Sequence, residues 1–371
     1  MNKITMSSAE LDESDIQAVL EVLRSGRIAL GPKAEEFEER IAEYVGVKYA
    51  VAVSSGTSGL HILVKALGIN QGDEVLVPSF TFASTVNVIL YERAMPIFID
   101  IEPATYNIDF SHLEKMITDK TKAIIAVDVF GHPAEWNEIL RIANKYELKV
   151  IDDSCEALGS EYNGKKLGQY GEAACFAFYP NKQITTGEGG IIVTNNSEIA
   201  KIAKSLRNQG RDDMNAWLHH DRLGYNYRMD EMSAALGVSQ LKRIETFLSK
   251  REKVANMYTE KLKRFDWVRT PIVKHYVRMS WFIYVVTLAE GLDRDLVMKE
   301  MEKEGIPTRG YFSPIHLQPY IRELFGCKEG LLPMTENISK RTLALPFHNN
   351  LSEEEVSEVV DTLKRVVERI G

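Results

Sequence analysis

Cysteine is scarce in this chain, three residues in 371, at Cys155, Cys175 and Cys327. They form no Cys-x-x-Cys pair and sit inside apolar or helical-looking runs, which argues against a disulfide framework or a thiolate metal site and for buried thiols in a reducing compartment. Long apolar runs are missing as well. No stretch approaches the roughly 20 residues that cross a bilayer, and residues 1–15 hold no apolar signal segment, so the expected location is cytoplasmic, with no membrane contact. Positive charge is not in excess: 45 Lys and Arg stand against 53 Asp and Glu, a formal net charge of -8. That balance leaves no electrostatic footprint for nucleic acid or an anionic lipid surface. His132 and the His219-His220 pair have no helical i, i+4 partner of metal-ligand type, and no metal site is assigned.

Hydrophobic residues at 44% and charged residues at 26% are ordinary for a globular protein, and the length allows about two domains. Apolar spacing predicts helices over 12–24 and 34–45. From residue 49 short apolar runs (49–53, 74–77, 96–100, 123–127, 149–152) alternate with amphipathic helical stretches (57–67, 82–93, 111–117, 135–146). Strands that are apolar throughout and separated by helices imply a mostly parallel sheet covered on both faces, with ligands gathering at the strands' carboxyl ends. Two further buried strands are expected at 175–178 and 191–193. Beyond them the pattern turns helical at 197–206 and 231–264, then returns to a strand at 281–288 and helices at 295–303 and 352–370. The expected division is a large domain over 1–248 and a smaller α+β domain over 249–371.

The link between the runs at 175–178 and 191–193 is polar and Gly-rich, and it carries Lys182. An amine walled by aromatic residues loses the hydration of its ammonium form and becomes a nucleophile toward an aldehyde; the plain alternative is a solvated loop lysine. Three other strand ends carry chemistry. Ser54-Ser-Gly-Thr-Ser-Gly59, between a strand and a helix, reads as a phosphate cradle or as a simple N-cap turn. Asp152-Asp153 closes a strand, where Asp153 either meets a protonated heteroaromatic nitrogen or caps the next helix. Pro78-Ser-Phe-Thr-Phe82 places Phe82 past another strand, as a plate for a planar ring or as core. An amine, a phosphate cradle, an acid and an aromatic plate together are the requirements of pyridoxal 5'-phosphate.

Taken in order, Ser55-Gly-Thr57, Pro78-Ser-Phe-Thr-Phe82, Asp152-Asp-Ser-Cys-Glu-Ala-Leu-Gly159, Asn181-Lys182 with Gly187-Glu-Gly-Gly190, and Gly224-Tyr-Asn-Tyr-Arg-Met229 resemble the motifs of the DegT-type sugar aminotransferases. These form a branch of the fold-type-I pyridoxal-phosphate enzymes, and the likeness spans essentially the whole chain. Within the branch, Asn181 to Gly190 and Glu156 resemble the GDP-perosamine synthase-like members most. The resemblance implies Lys182 as Schiff-base lysine and proton shuttle, Asp153 at the pyridine nitrogen, Phe82 on the ring, and Ser55, Gly56 and Thr57 at the phosphate. It also implies that Asn226 and Arg228 reach the phosphate region from the second subunit of a homodimer with shared active sites. Tyr311 and His316, in one Pro-containing loop, are implied near the sugar, a structural histidine being the alternative for His316.

Two positions depart from the commoner pattern. Ala177 stands where many members have a phosphate-binding serine, and Glu156 where many have His or Gln. A carboxylate there is either protonated or turned to another partner. Arg207 and Arg211 are read as exposed helix-end arginines, with a nucleotide diphosphate as the functional alternative. The function implied is transfer of an amino group, with L-glutamate as donor, to a nucleotide-linked 4-keto-6-deoxyhexose. The competing readings are a sugar dehydratase of the same fold, in which histidine typically replaces the lysine, and a non-catalytic sensor.

Overall fold

The computed structural model describes residues 4–212 and 218–370. Its strands are β1 (Tyr49–Val53), β2 (Glu74–Pro78), β3 (Met95–Ile99), β4 (Thr121–Val127), β5 (Lys149–Asp153), β6 (Glu161–Tyr162), β7 (Lys165–Lys166), β8 (Ala173–Ala177), β9 (Gly190–Thr194), β10 (Val268–Arg269), β11 (Val277–Arg278), β12 (Tyr284–Leu288) and β13 (Thr342–Leu345). The helices of the first part are α1 (Glu13–Ser25), α2 (Pro32–Val45), α3 (Gly56–Ala66), α4 (Ala83–Tyr91), α5 (Phe110–Met116), α6 (Trp136–Lys145), α7 (Ser197–Arg207), α8 (Glu231–Leu241) and α9 (Ile244–Leu262). The second part adds α10 (Arg294–Lys303), α11 (Pro319–Phe325), α12 (Pro333–Ser339) and α13 (Glu353–Ile370).

Seven strands form one sheet in the order β1-β9-β8-β5-β4-β2-β3. All run parallel except β9, which is antiparallel to both its neighbours. Successive side chains of each strand point to opposite faces, and both faces are apolar because both are covered. Val75 and Val77 pack with α3, α4 and α7 through Leu60, Ile89 and Ile199, whereas Leu76 packs with α6 through Ile139 and Ile142. Each such fully buried aliphatic side chain contributes roughly 1.5–3 kcal/mol. This is the expected doubly covered, mostly parallel sheet, and it brings the carboxyl ends of β1, β2, β4, β5 and β8 to one edge.

A second core forms around the antiparallel sheet β10-β12-β13 with α10, α13 and the latter part of α9. The change of core occurs inside α9, where Phe247 and Leu248 pack toward the large sheet and Val254, Ala255 and Tyr258 toward the small one. The division drawn at 248 and 249 thus falls within a continuous helix. Ile4 also packs in the second core, and the Phe347 amide donates to Met6 O, so the start of the chain lies with its end.

The single helix expected over 231–264 is two, α8 and α9, bent at Lys242 and Arg243. There Gln240 donates to Asp15 at 2.8 Å, and Arg243 pairs with Asp12 and Asp15 of α1, a tertiary contact that spacing does not encode. The strand expected from 281 begins only at Tyr284. Trp281 has φ 54°, a left-handed conformation that interrupts an extended ladder. Of the cysteines, all free, only Cys175 is fully buried.

Candidate active site

Just beyond the carboxyl edge of the large sheet lies a cavity of about 490 Å³. Its wall is made by the residues that follow β1, β2, β5 and β8 and by the turn that enters the reversed β9, so one edge of the sheet supplies most of its chemistry. The N-terminus of α3 opens on it through Gly56 and Thr57, and the first turn of α3 carries no acidic residue. Ser55 caps that helix, its Oγ accepting from Ser58 N at 3.1 Å while Ser58 Oγ accepts from Ser55 N at 2.9 Å. The N-cap reading therefore holds, and the capped helix end faces the cavity, where its polarity suits an anion. Close approach explains the glycine. A Cβ at Gly56 would lie 2.8 Å from that of Ala177 and 2.9 Å from Cys155 Sγ.

Asp153, the last residue of β5, is 4% exposed and faces the cavity. Its Oδ2 accepts from Thr85 Oγ at 2.7 Å and its Oδ1 from Cys155 N at 3.3 Å. Thr85 has one hydroxyl proton and gives it to Asp153, so the 2.9 Å contact with Thr81 runs from Thr81 to Thr85. Burial pushes the Asp153 carboxyl above its ordinary value, against those hydrogen bonds and the nearby Lys182.

Lys182 projects from the link between β8 and β9. Its Nζ lies 3.8 Å from the centre of the Phe282 ring and 3.7 Å from Glu156 Oε1, with the side chain 11% exposed. Glu156 resolves the question its sequence position raised: its Oε2 accepts from Phe130 N at 3.0 Å, leaving Oε1 toward the amine. Burial raises the Glu156 carboxyl, and the Lys182 charge opposes that rise. Phe82, 63% exposed, offers its ring at the mouth, where Tyr179 is 53% exposed.

The structure thus brings together Ser55, Gly56, Thr57, Phe82, Asp153, Glu156, Lys182 and Tyr311 around one cavity. It does not bring His316 there. His316 is fully buried, its Nδ1 2.7 Å from Ser79 Oγ and its Nε2 3.1 Å from Glu336 Oε1, so both ring nitrogens are engaged in the core. That corrects its sequence-based placement near a sugar. Asn226 and Arg228 also stand outside the cavity of their own chain. Asn226 bridges to Asn208, Arg228 donates to Asn208 Oδ1 at 2.9 Å, and Tyr227 O accepts from Ser54 N at 2.8 Å, tying their loop to the start of α3. Arg207 is a structural residue, paired with the buried Glu38 and donating to Ala52 O at 2.6 Å. Sequence reasoning missed Thr85, three residues beyond the motif that ends at Phe82, and Phe282, for which no local signal exists.

Asp152 faces away from the cavity. Ser154 Oγ lies 2.7 Å from Asp152 Oδ1 and 2.6 Å from Asp128 Oδ2, yet a hydroxyl has one proton to give. One of the two carboxyls must therefore carry a proton. Burial pushes Asp128 up to about 6, and burial with the Asp128 charge holds Asp152 well above the carboxylate range. A carboxyl whose folded pKa is raised stabilises the fold at low pH and loses that contribution as pH rises through the folded value. Asp152→Asn should therefore keep most activity and gain thermal stability relative to the parent chain between pH 5 and 8. A variant that loses stability more steeply than the parent over that range would contradict the protonated pair.

The fold and this cavity define an aminotransferase of the pyridoxal-phosphate kind, with its acid, amine and anion site at strand ends. The chain matches the DegT/DnrJ/EryC1/StrS aminotransferase family over residues 9–364, and it belongs to that family. It is 38% identical to GDP-perosamine synthase of Caulobacter vibrioides, over 98% of both chains. It is 35% identical to UDP-4-amino-4,6-dideoxy-N-acetyl-beta-L-altrosamine transaminase of Campylobacter jejuni, covering 99% of this chain and 98% of that one. Among solved structures, a Streptococcus pneumoniae protein described as a sugar aminotransferase, in its PMP form, superposes with a TM-score of 0.94 at 28% identity, over 99% of this chain and 98% of the other.

Proposed function

We propose that this chain binds pyridoxal phosphate in the cavity and moves an amino group from L-glutamate to C4 of a nucleotide-linked 4-keto-6-deoxyhexose. One observation carries the reading: Lys182 Nζ, held at 3.7 Å from Glu156, shares a single cavity with Asp153 on one wall and the α3 N-terminus on another. The donor set fits the cofactor. The α3 amide end suits a phosphate dianion, and the buried Asp153 suits a pyridinium proton. Bound there, the cofactor supplies an aldehyde carbon and an electron-withdrawing ring.

The chain's own residues do the rest. Lys182 would hold the cofactor through its aldehyde carbon and, once its amine is free, would take the proton from the donor's α-carbon and deliver it to the adjoining carbon, with the direction reversed for the ketosugar. Asp153, braced by Thr85, holds the ring-nitrogen proton. Glu156, fixed by Phe130 N, turns an oxygen to the Lys182 amine and limits where it swings. The exposed Phe82 ring covers one face of the pyridine, and Tyr311 lines the sugar side. Lys182 and Asp153 at one cavity favour this reading over a dehydratase with histidine at the lysine position, and over a non-catalytic sensor.

Amination at C4 rests on the likeness of Asn181 to Gly190 to GDP-perosamine synthase-like members and on the 4-amino sugar in the name of the Campylobacter jejuni relative. With glutamate as donor, matched 4-keto and 3-keto nucleotide sugars should give a new amine at C4, located by NMR, with the 4-keto compound preferred at least tenfold in kcat/KM, about 1.4 kcal/mol. Amination at C3 would overturn this assignment.

The active site is further proposed to be completed by a second copy of the chain, with Asn226 and Arg228 of each copy serving the other's phosphate site. Mixing Lys182→Ala chains with Asn226→Ala/Arg228→Ala chains should restore part of the activity. No recovery after confirmed subunit exchange would count against sharing.

A further inference from the structure

Arg251 lies within α9 and is 2% exposed. Its hydrogen bonds go to main-chain carbonyls on two sides of the cleft. Nη2 donates to Lys182 O at 2.8 Å and to Asn181 O at 3.4 Å, while Nη1 donates to Trp281 O and Phe282 O, both at 3.0 Å. Its Nε finds no hydrogen-bond partner among the described residues. Burial pulls the guanidinium down to about 10, which still leaves it charged at neutral pH, and Glu10 is the acid that opposes the shift. A buried cation held by neutral carbonyls is costly, and neutral core residues would fill such a space at less expense. Its geometry supplies the reason to keep it.

The peptide that carries the reactive amine and the peptide that carries the ring beneath that amine are bonded to the same planar group. Lys182 Nζ sits 3.8 Å from the Phe282 ring centre, and both backbones meet at Arg251. The neighbouring bonds reach the same region from other directions: Lys182 N donates to Tyr179 O at 2.9 Å, and Gln183 Nε2 donates to Glu156 O at 2.6 Å and to Ser280 Oγ at 2.8 Å. Among these, Arg251 alone spans from the Lys182 peptide to the Phe282 peptide. We propose that Arg251 is the positioning residue of this site, a guanidinium clamp that fixes the Lys182 amine over Phe282 and beside Glu156. The proposal rests on Lys182 being the reactive amine. A lysine ammonium cannot reproduce the clamp, because it lacks the planar fork that reaches both pairs of carbonyls.

The test uses Arg251→Lys and Arg251→Gln in the holoenzyme, beside Tyr258→Phe, which removes a bond from the same helix to Pro346 O at 2.8 Å and touches neither peptide. A misplacement of about 1 Å costs on the order of 10²-fold in rate, so kcat in the Arg251 variants should fall by about that factor with KM changed less than about threefold. After cofactor removal, the Lys182 amine should react several-fold faster with trinitrobenzenesulfonate, scored by peptide mass spectrometry against the other lysines. Guanidinium ion added to Arg251→Ala should restore part of kcat. Tyr258→Phe should lower Tm and leave both readouts where they are.

Folded Arg251 variants with unchanged kcat and unchanged Lys182 labelling would overturn the proposal. So would equal changes in Tyr258→Phe, which mean general loosening, and so would failure of both Arg251 variants to fold while Tyr258→Phe folds, which assigns Arg251 to stability. Borohydride mapping on the parent chain separates the two levels. Cofactor fixed to another lysine removes the underlying reading, whereas cofactor fixed to Lys182 with no effect of Arg251 removes only the clamp.

Discussion

Lys182→Ala should lower the turnover of transamination by about 10⁴-fold or more while leaving the fold intact. A positioned proton carrier contributes about 10² to 10⁴ in rate, and this residue also provides the covalent attachment of the cofactor. Among the described residues that line the cavity, Lys182 is the only lysine, so no neighbouring amine stands ready to replace it. The substitution removes an almost buried amine that lies 3.7 Å from Glu156, a carboxyl that burial raises above its ordinary value. Little stability is therefore at stake, and Tm should move by no more than a few degrees. Steady-state assays with glutamate and a ketosugar check the rate, and thermal melts check the fold. Turnover within tenfold of the parent would mean that another group moves the proton.

Asp153→Asn should reduce turnover by about 10³-fold at unchanged fold. The amide keeps one carbonyl oxygen for the Thr85 hydroxyl, and its NH2 group gives up only the longer bond from Cys155 N, so the stronger of the two local hydrogen bonds can persist. It carries no negative charge, and a ring-nitrogen proton opposite an amide has no counter-ion in a buried wall. The ring then draws electrons less effectively, and abstraction of the donor's proton slows. The contrast with Asp152→Asn is the informative part. Two adjacent acids on one strand point to opposite faces of the sheet, one toward the cavity and the other sharing a proton with Asp128. Single-turnover rates with glutamate should separate them by two orders of magnitude or more. Near-equal effects would mean that Asp153 is not the charge that serves the ring.

The large sheet was legible because its strands are apolar throughout and its helices are amphipathic, a pattern in which burial on both faces leaves few alternatives. The residues of the cavity were legible for a related reason: Ser55 to Thr57, Phe82, Asp153 and Lys182 each follow a readable strand, so their place at one edge comes from topology. What could not be read depends on contacts between distant parts of the chain. Phe282 meets Lys182 from 100 positions away, through a turn made by Trp281 in a left-handed conformation. Arg251 reads as one more basic residue on an amphipathic helix until its four carbonyl partners are seen. His316 shows the limit of a local reading: its loop sequence left a ligand and a structural histidine both open, and Ser79 and Glu336 hold the ring in the core. Glu156 needed the amide of Phe130, a partner 26 residues away, before its orientation could be stated.

The most direct test of the account is chemical trapping. Protein purified with pyridoxal phosphate is reduced with borohydride, digested and mapped by mass spectrometry, with Lys182→Ala as control. The account predicts one modified peptide, carrying the reduced cofactor on Lys182, and no modified peptide from the control. Modification of a different lysine, or equal labelling of the control, would contradict it.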